Sequence, residues 1–305
     1  MHKLITGYDG SAQGEDALAL TRTVAQLIEA EPIVVGVVTW PTYLMSGPEL
    51  EQAIQLEMGS LLERAAERLE GLGPSTRAVH SRSVGAALSA AAAEAKAAAI
   101  IIGPSHRGPV GRAALGSVGT SLIHGAPCAV AVARHGLASE AKLHVLKVGV
   151  AFDGSQESWS ALEAATVMAR RAGASVTVLT VADLPTYGLA SAWDALTAQE
   201  VMDAERADKQ RVLELALAGT PEGLPVEGRL MSGAAASLLA EASNEFDLLV
   251  VGSRGYGPLG RTFLGGVSTQ LIHTATCPVL VLPRGATVEA FRGRRPHVAP
   301  AAVTA

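Results

Sequence analysis

Two short runs, Asp9-Gly10-Ser11 and Asp153-Gly154-Ser155, each close an apolar segment and open an amphipathic one. A carboxylate, a glycine and a hydroxyl at a strand-to-helix turn suit either of two tasks. The Asp can face a ligand bound at the strand end, or it can cap the helix that follows. Two longer segments are glycine-rich: Gly103 to Ser117, and Gly252 to Ser268. Glycines in such loops admit positive φ and let backbone N–H groups approach an anion with no side chain between. Each loop runs into a helix start, near Gly116 or Gly265, where free N–H groups and the helix dipole favour phosphate. Arg112 and Arg261 add a matched positive charge, and Ser117 and Ser268 supply hydroxyls for a phosphate or for the helix end. The chemistry on offer is anion binding. A Walker A sequence is missing, and so is a tight G-x-G-x-x-G after the first strand.

These residues occur twice because the chain is written twice. Tyr8-Asp9-Gly10-Ser11 returns as Phe152-Asp153-Gly154-Ser155, and Leu122-Ile123-His124 returns as Leu271-Ile272-His273. Cys128 returns as Cys277, in the same order. Self-similarity on this scale means repeated structural units. Within each copy, short apolar runs alternate with helical patterns. Strands are predicted at 4–8, 33–39, 76–81, 99–102 and 128–133, and again at 148–152, 175–182, 226–231, 248–251 and 278–282. Continuously apolar runs such as Leu248-Leu249-Val250-Val251 fit strands covered on both faces. The expected class is α/β, two tandem doubly wound domains, each a five-stranded parallel sheet flanked by helices. The expected boundaries are 1–138 and 145–284, with 285–305 a disordered tail. In such sheets a ligand binds beyond the carboxyl ends of the strands, where strand order reverses. Both the Asp-Gly-Ser turn and the glycine loop fall there.

Tandem copies of strand–Asp-Gly-Ser–helix followed by G-x2-G-x9-G resemble the universal stress protein family over nearly the whole chain. The resemblance implies an adenine-nucleotide alpha-hydrolase-like fold, with ATP (and Mg²⁺ with it) held at the switch point in one subfamily. It assigns Asp9 and Asp153 to the neighbourhood of the nucleotide and Val38 and Val181, at the ends of the second strands, to the adenine pocket. The family pattern continues into Ser or Thr. Copy two supplies Gly252, Gly255 and Gly265, but Gly266 stands where the hydroxyl is expected, with Ser268 two positions on. Copy one supplies Gly103, Gly116 and Ser117, but His106 replaces the second glycine. On this pattern copy two is the better nucleotide site. A Gly252→Val/Gly265→Val variant is expected to remove binding without disturbing the core. The resemblance also implies that the copies pair through their last strands within the chain; a further homodimer and a protein partner stay open.

The composition sets the remaining bounds. The chain has 305 residues, 24 Lys plus Arg against 29 Asp plus Glu, and a net charge of −5, which argues against general nucleic-acid or anionic-membrane binding. A long uncharged stretch, Ala113 to Ala133, carries Gly116, Gly119, Gly125 and Pro127, unlike a spanning helix. The N-terminus shows no apolar signal region, so the cytoplasm is the expected location. Cys128 and Cys277 form no CxxC pair and are expected in the core. His124 and His273 are expected to meet the last-turn carbonyls of the helix they end. With no catalytic base at a persuasive position, a nucleotide-binding regulatory protein is expected. A nucleotide-free scaffold is the alternative, and a slow ATPase or self-phosphorylating protein the third reading.

Overall fold

A computed structural model describes residues 2–39, 48–105, 116–140, 143–182, 195–253, 266–283 and 291. The first repeat runs β1 (His2–Gly7), α1 (Ala12–Ile28), β2 (Ala30–Thr39), α2 (Pro48–Arg68), β3 (Ser75–Ser81), α3 (Val84–Ala95), β4 (Ala99–Ile102), α4 (Ser117–Gly125), β5 (Ala129–Val132). The second runs β6 (Lys147–Ala151), α5 (Gln156–Ala172), β7 (Ser175–Ala182), α6 (Ala195–Ala218), β8 (Val226–Ser232), α7 (Ala235–Ala242), β9 (Leu248–Gly252), α8 (Gly266–Thr274), β10 (Val279–Leu282). Every strand predicted from the apolar runs is present, with ends shifted by a few residues at most.

All ten strands join one sheet in the order β3-β2-β1-β4-β5-β10-β9-β6-β7-β8. Pairing is parallel inside each repeat, and strand order reverses between β1 and β4 and between β6 and β9. The repeats meet through the antiparallel pair β5–β10, with Val132 opposite Val279, Ala131 opposite Leu280 and Val130 opposite Val281. The four central strands β4, β5, β9 and β10 are buried almost throughout. That burial explains why their sequences are continuous apolar runs rather than alternating ones.

The helices cover both faces. Leu20, Val24 and Ile28 of α1, with Leu162, Ala165 and Met168 of α5, pack on one face in a cluster drawn from both repeats. On the other face Leu88 of α3, Leu122 and Ile123 of α4, and Leu271 and Ile272 of α8 form a second shared cluster. Arg171 at the end of α5 donates to the Leu27 carbonyl at the end of α1, 2.8 Å away. A linker between the repeats does not hang free. His135 and Leu137 are buried, and the Asp16 carboxylate, 3% exposed, accepts from the Gly136 and Ala138 amides at 3.0 and 2.8 Å. Phe291 is also fully buried, in the first cluster, although the sequence around it reads as a tail. The other residues of 284–305 lie outside the described residues.

Cys128 and Cys277 are buried and unpaired, and burial pushes both thiols up to about 12. A thiol held that far above its ordinary range stays protonated and unreactive at neutral pH. The folded state therefore keeps both protons while the unfolded chain loses its own near pH 8.5. Stability from this source is complete below that pH and is lost as pH rises toward about 12. We expect urea midpoints to fall between pH 8 and 10.5, and to fall less in a Cys128→Val/Cys277→Val variant. A thiol reagent at pH 8 should label neither cysteine until urea is added.

Candidate functional site

The Asp-Gly-Ser turns have the same geometry in both repeats. Gly10 and Gly154 take φ of +77° and +86°, which bends the chain sharply from strand into helix. Ser11 and Ser155, not the aspartates, are the helix N-caps; their hydroxyls accept from Gly14 N at 3.1 Å and Ser158 N at 3.2 Å. Asp9 accepts from the Ser11 amide and hydroxyl at 3.0 and 2.5 Å, and Asp153 accepts from Ser155 at 2.9 and 2.5 Å. The capping role weighed for Asp thus falls to the serine, and the carboxylate is held at the lip of the turn.

Gly103 follows β4 and Gly252 ends β9, each at a close crossing. A β-carbon on Gly103 would lie 2.0 Å from the Gln13 carbonyl oxygen, and one on Gly252 would lie 2.7 Å from the Glu157 carbonyl carbon. These glycines are required by packing against the first turn of α1 and α5, whatever they do for a ligand. The Gly252→Val substitution therefore disturbs the core, contrary to the expectation from sequence.

In the first repeat the turn, the end of β4 and the start of α4 enclose a cleft of about 860 Å³. That volume falls in the range of small-molecule sites. One wall is apolar, formed by Val35, Val37, Val84, Leu88 and Ile102. Asp9, Ser11, Gln13 and Gly14 line it at the start of α1; Gly116, Ser117, Gly119 and Thr120 line it at the start of α4. Gly116 is the N-cap of α4 and offers no side chain, so the cap residue itself makes no side-chain hydrogen bond. Ser117, the first residue of α4, is exposed. Tyr8 also lines the cleft; it donates to Glu15 Oε1 at 2.6 Å, and burial raises its hydroxyl to about 12. In the second repeat Phe152 and Trp159 stand at the equivalent positions, edge to face with centroids 4.9 Å apart.

Asp9, Gly103, Gly116 and Ser117 are therefore brought together as the sequence suggested. Val38 is not among the residues lining this cleft. The ladders align Gly7 with Val35 and Ala151 with Leu179, so the counterpart of Val181 is Val37. Side chains alternate along a strand, and a one-residue offset puts Val38 on the opposite face.

The second repeat differs at its helix start. Gly266 begins α8, is exposed, and has open space around it. Ser268 is buried and donates to the Gly252 carbonyl at 3.0 Å, which ties α8 to the end of β9. Asp153, Val181 and Gly252 are described; Gly255, Gly265 and Arg261 lie outside the described residues, as do His106 and Arg112 of the first repeat.

One histidine that the motifs did not assign to a site lines the first cleft, and a second bonds to its lining. His135 is buried, and its Nε2 lies 2.8 Å from the Ser105 carbonyl, beside Gly103 in the lining. His273, at the end of α8 in the second repeat, lines the same cleft. Among the described residues, no group of three or more His, Cys, Asp or Glu has the arrangement of a metal site. No described helix is long and apolar enough to cross a membrane.

Comparison with known proteins agrees with this architecture. A universal stress protein of Mycobacterium tuberculosis is 30% identical over 297 residues, covering 92% of this chain and 96% of its own. One of Mycolicibacterium smegmatis is 30% identical over 301 residues with the same coverage. A universal stress protein structure from Archaeoglobus fulgidus superposes with a TM-score of 0.67 at 20% identity, covering 93% of this chain and 98% of that one. The universal stress protein family model matches residues 1–134 and again 145–283. The chain belongs to the universal stress protein family, as a tandem member with two copies of the family's unit.

Proposed function

We propose that the protein is a nucleotide-responsive regulatory protein and that its first cleft takes an adenine nucleotide. One observation carries the reading: the cleft joins an apolar wall to a helix start whose N-cap is a glycine. Val37 and Val84, the part-exposed side chains of that wall, suit the flat apolar faces of a base. The amides of Ser117, Val118 and Gly119 at the start of α4, with the Ser117 hydroxyl, suit a phosphate. Asp9 is the one carboxylate among the described lining residues, and it suits the ribose or a Mg²⁺ carried in on the phosphates. The sequence favours the second repeat on the strength of Gly255. The described geometry favours the first, where Ser117 keeps the hydroxyl that Gly266 lacks. In the second repeat Ser268 is already committed to Gly252. That bond supports a second reading for that repeat, as a nucleotide-free partner that holds the first in shape.

The test is nucleotide content. Protein purified without added ligand is denatured, and the ATP, ADP and AMP released per chain are quantified by chromatography. About one per chain is the expected result. None, with no thermal shift on adding ATP and Mg²⁺, would leave the scaffold reading for the whole chain.

A further inference from the structure

We infer that His273, contributed by the second repeat, is a ligand-contacting residue of the first repeat's cleft, where it donates to the phosphate portion of the nucleotide. The inference rests on the reading of that cleft as a nucleotide site, and it adds that neither repeat builds the site alone.

The antiparallel pairing of β5 with β10 puts His273 there. Val132, the last residue of β5, lies opposite Val279, the first of β10. The segment that leads from α8 into β10 therefore lies beyond the carboxyl end of β5, on the cleft side of the sheet. Helices α4 and α8 pack on the same face, in one apolar cluster. The antiparallel pairing gives them opposite polarity, so the amino end of α4 and the carboxyl end of α8 come to the same end of the sheet. The lining of the cleft includes both ends: Gly116, Ser117 and Thr120 come from the first turn of α4 and His273 from the last turn of α8.

Electrostatics give the side chain a task. The carbonyl end of α8 carries partial negative charge, which opposes an anion placed at the start of α4. An imidazole N–H at that point offsets the opposition and offers a donor directed from the other repeat. His273 is exposed, so its ring is accessible to a ligand in the cleft.

The experiment measures ATP and adenosine binding to the full chain by calorimetry, in wild type and in His273→Ala, His273→Gln and Ser117→Glu variants. The binding event removed by Ser117→Glu marks the first cleft. We expect His273→Ala to weaken ATP at that site about tenfold, the size of one hydrogen bond to a charged group. Adenosine, which lacks phosphate, should change less than about twofold on the same grounds, and His273→Gln, which keeps a donor, should recover part of the loss. Unchanged ATP binding in His273→Ala, where Ser117→Glu abolishes it, overturns the role of His273 and leaves the nucleotide reading standing. Equal weakening of ATP and adenosine with a lower melting temperature also overturns it, because the residue would then be structural. Absence of any ATP or adenosine binding in the wild type overturns the nucleotide reading and this inference with it.

Discussion

Replacing Ser117 with glutamate is expected to reduce ATP affinity at the first cleft about 100-fold or more, because like charges brought together at a binding surface cost several kcal/mol. The new carboxylate would stand at the first position of α4, where the phosphates are proposed to sit. Its effect on the fold should be neutral or favourable. Ser117 is exposed, and an acidic side chain in a helix's first turn contributes about 0.3–1 kcal/mol of stability. Loss of binding without loss of melting temperature would thus report on the site alone. Gly266→Glu is the matching change in the second repeat, and open space surrounds that position too. If the first cleft is the nucleotide site, Ser117→Glu removes the ligand and Gly266→Glu leaves it. The reverse outcome would return the site to the second repeat, and equal partial losses would mean that both repeats bind.

A second substitution should act first on the fold. Gly103→Ala places a β-carbon 2.0 Å from the carbonyl oxygen of Gln13 and 2.6 Å from its carbonyl carbon. Those are backbone atoms of α1 and cannot rotate aside, so β4 or α1 must shift. Overpacking commonly costs about 1–3 kcal/mol and occasionally more, and a backbone overlap of this kind belongs at or above 3. At about 2–4 °C per kcal/mol, thermal unfolding should move down by about 6–12 °C. Gly252→Ala meets the Glu157 backbone at 2.7 Å and should cost less. Melting curves of the two variants check the order; a Gly103→Ala protein as stable as wild type would show that the crossing is looser than described.

The alternation of apolar runs and helical patterns carried the element order, and the repeat carried the architecture. Both are local properties. A buried strand such as Leu248–Gly252 must be apolar throughout, and an amphipathic helix must show its stripe, so each is visible one segment at a time. The cleft was legible to the extent that one repeat's loops build it: Asp9, Gly103, Gly116 and Ser117 were all read from motif position. What was not legible depends on contacts between distant segments. Gly103 reads as a glycine that lets an anion approach, and only the crossing of β4 with α1 shows that packing also demands it. Val38 and Val37 have the same residue type, and only the ladder register decides which faces the cleft. His273 sits far along the chain from Ser117 and in the other repeat. Its position follows from the β5–β10 pairing, but the pairing had to be combined with helix polarity before the histidine could be placed. Phe291 lies in a segment whose composition argues for disorder, and a single buried ring leaves no periodic trace.

The β5–β10 pairing also changes what substitution can do. In a two-fold dimer of identical chains every mutation is made twice, so a change that helps one site and harms the other cannot be tried on one side only. Here the two halves are covalently one chain, joined by a segment that Asp16 holds by two amides, and the pairing edge of each half is already occupied by the other. Each half can therefore diverge alone at fixed one-to-one stoichiometry. The divergence is visible at matched positions: Tyr8 with Glu15 against Phe152 with Trp159, Ser117 against Gly266, Gly119 against Ser268. Two copies held in one chain and one continuous sheet leave either half free to take up a task the other does not share, which symmetric partners are poorly suited to do.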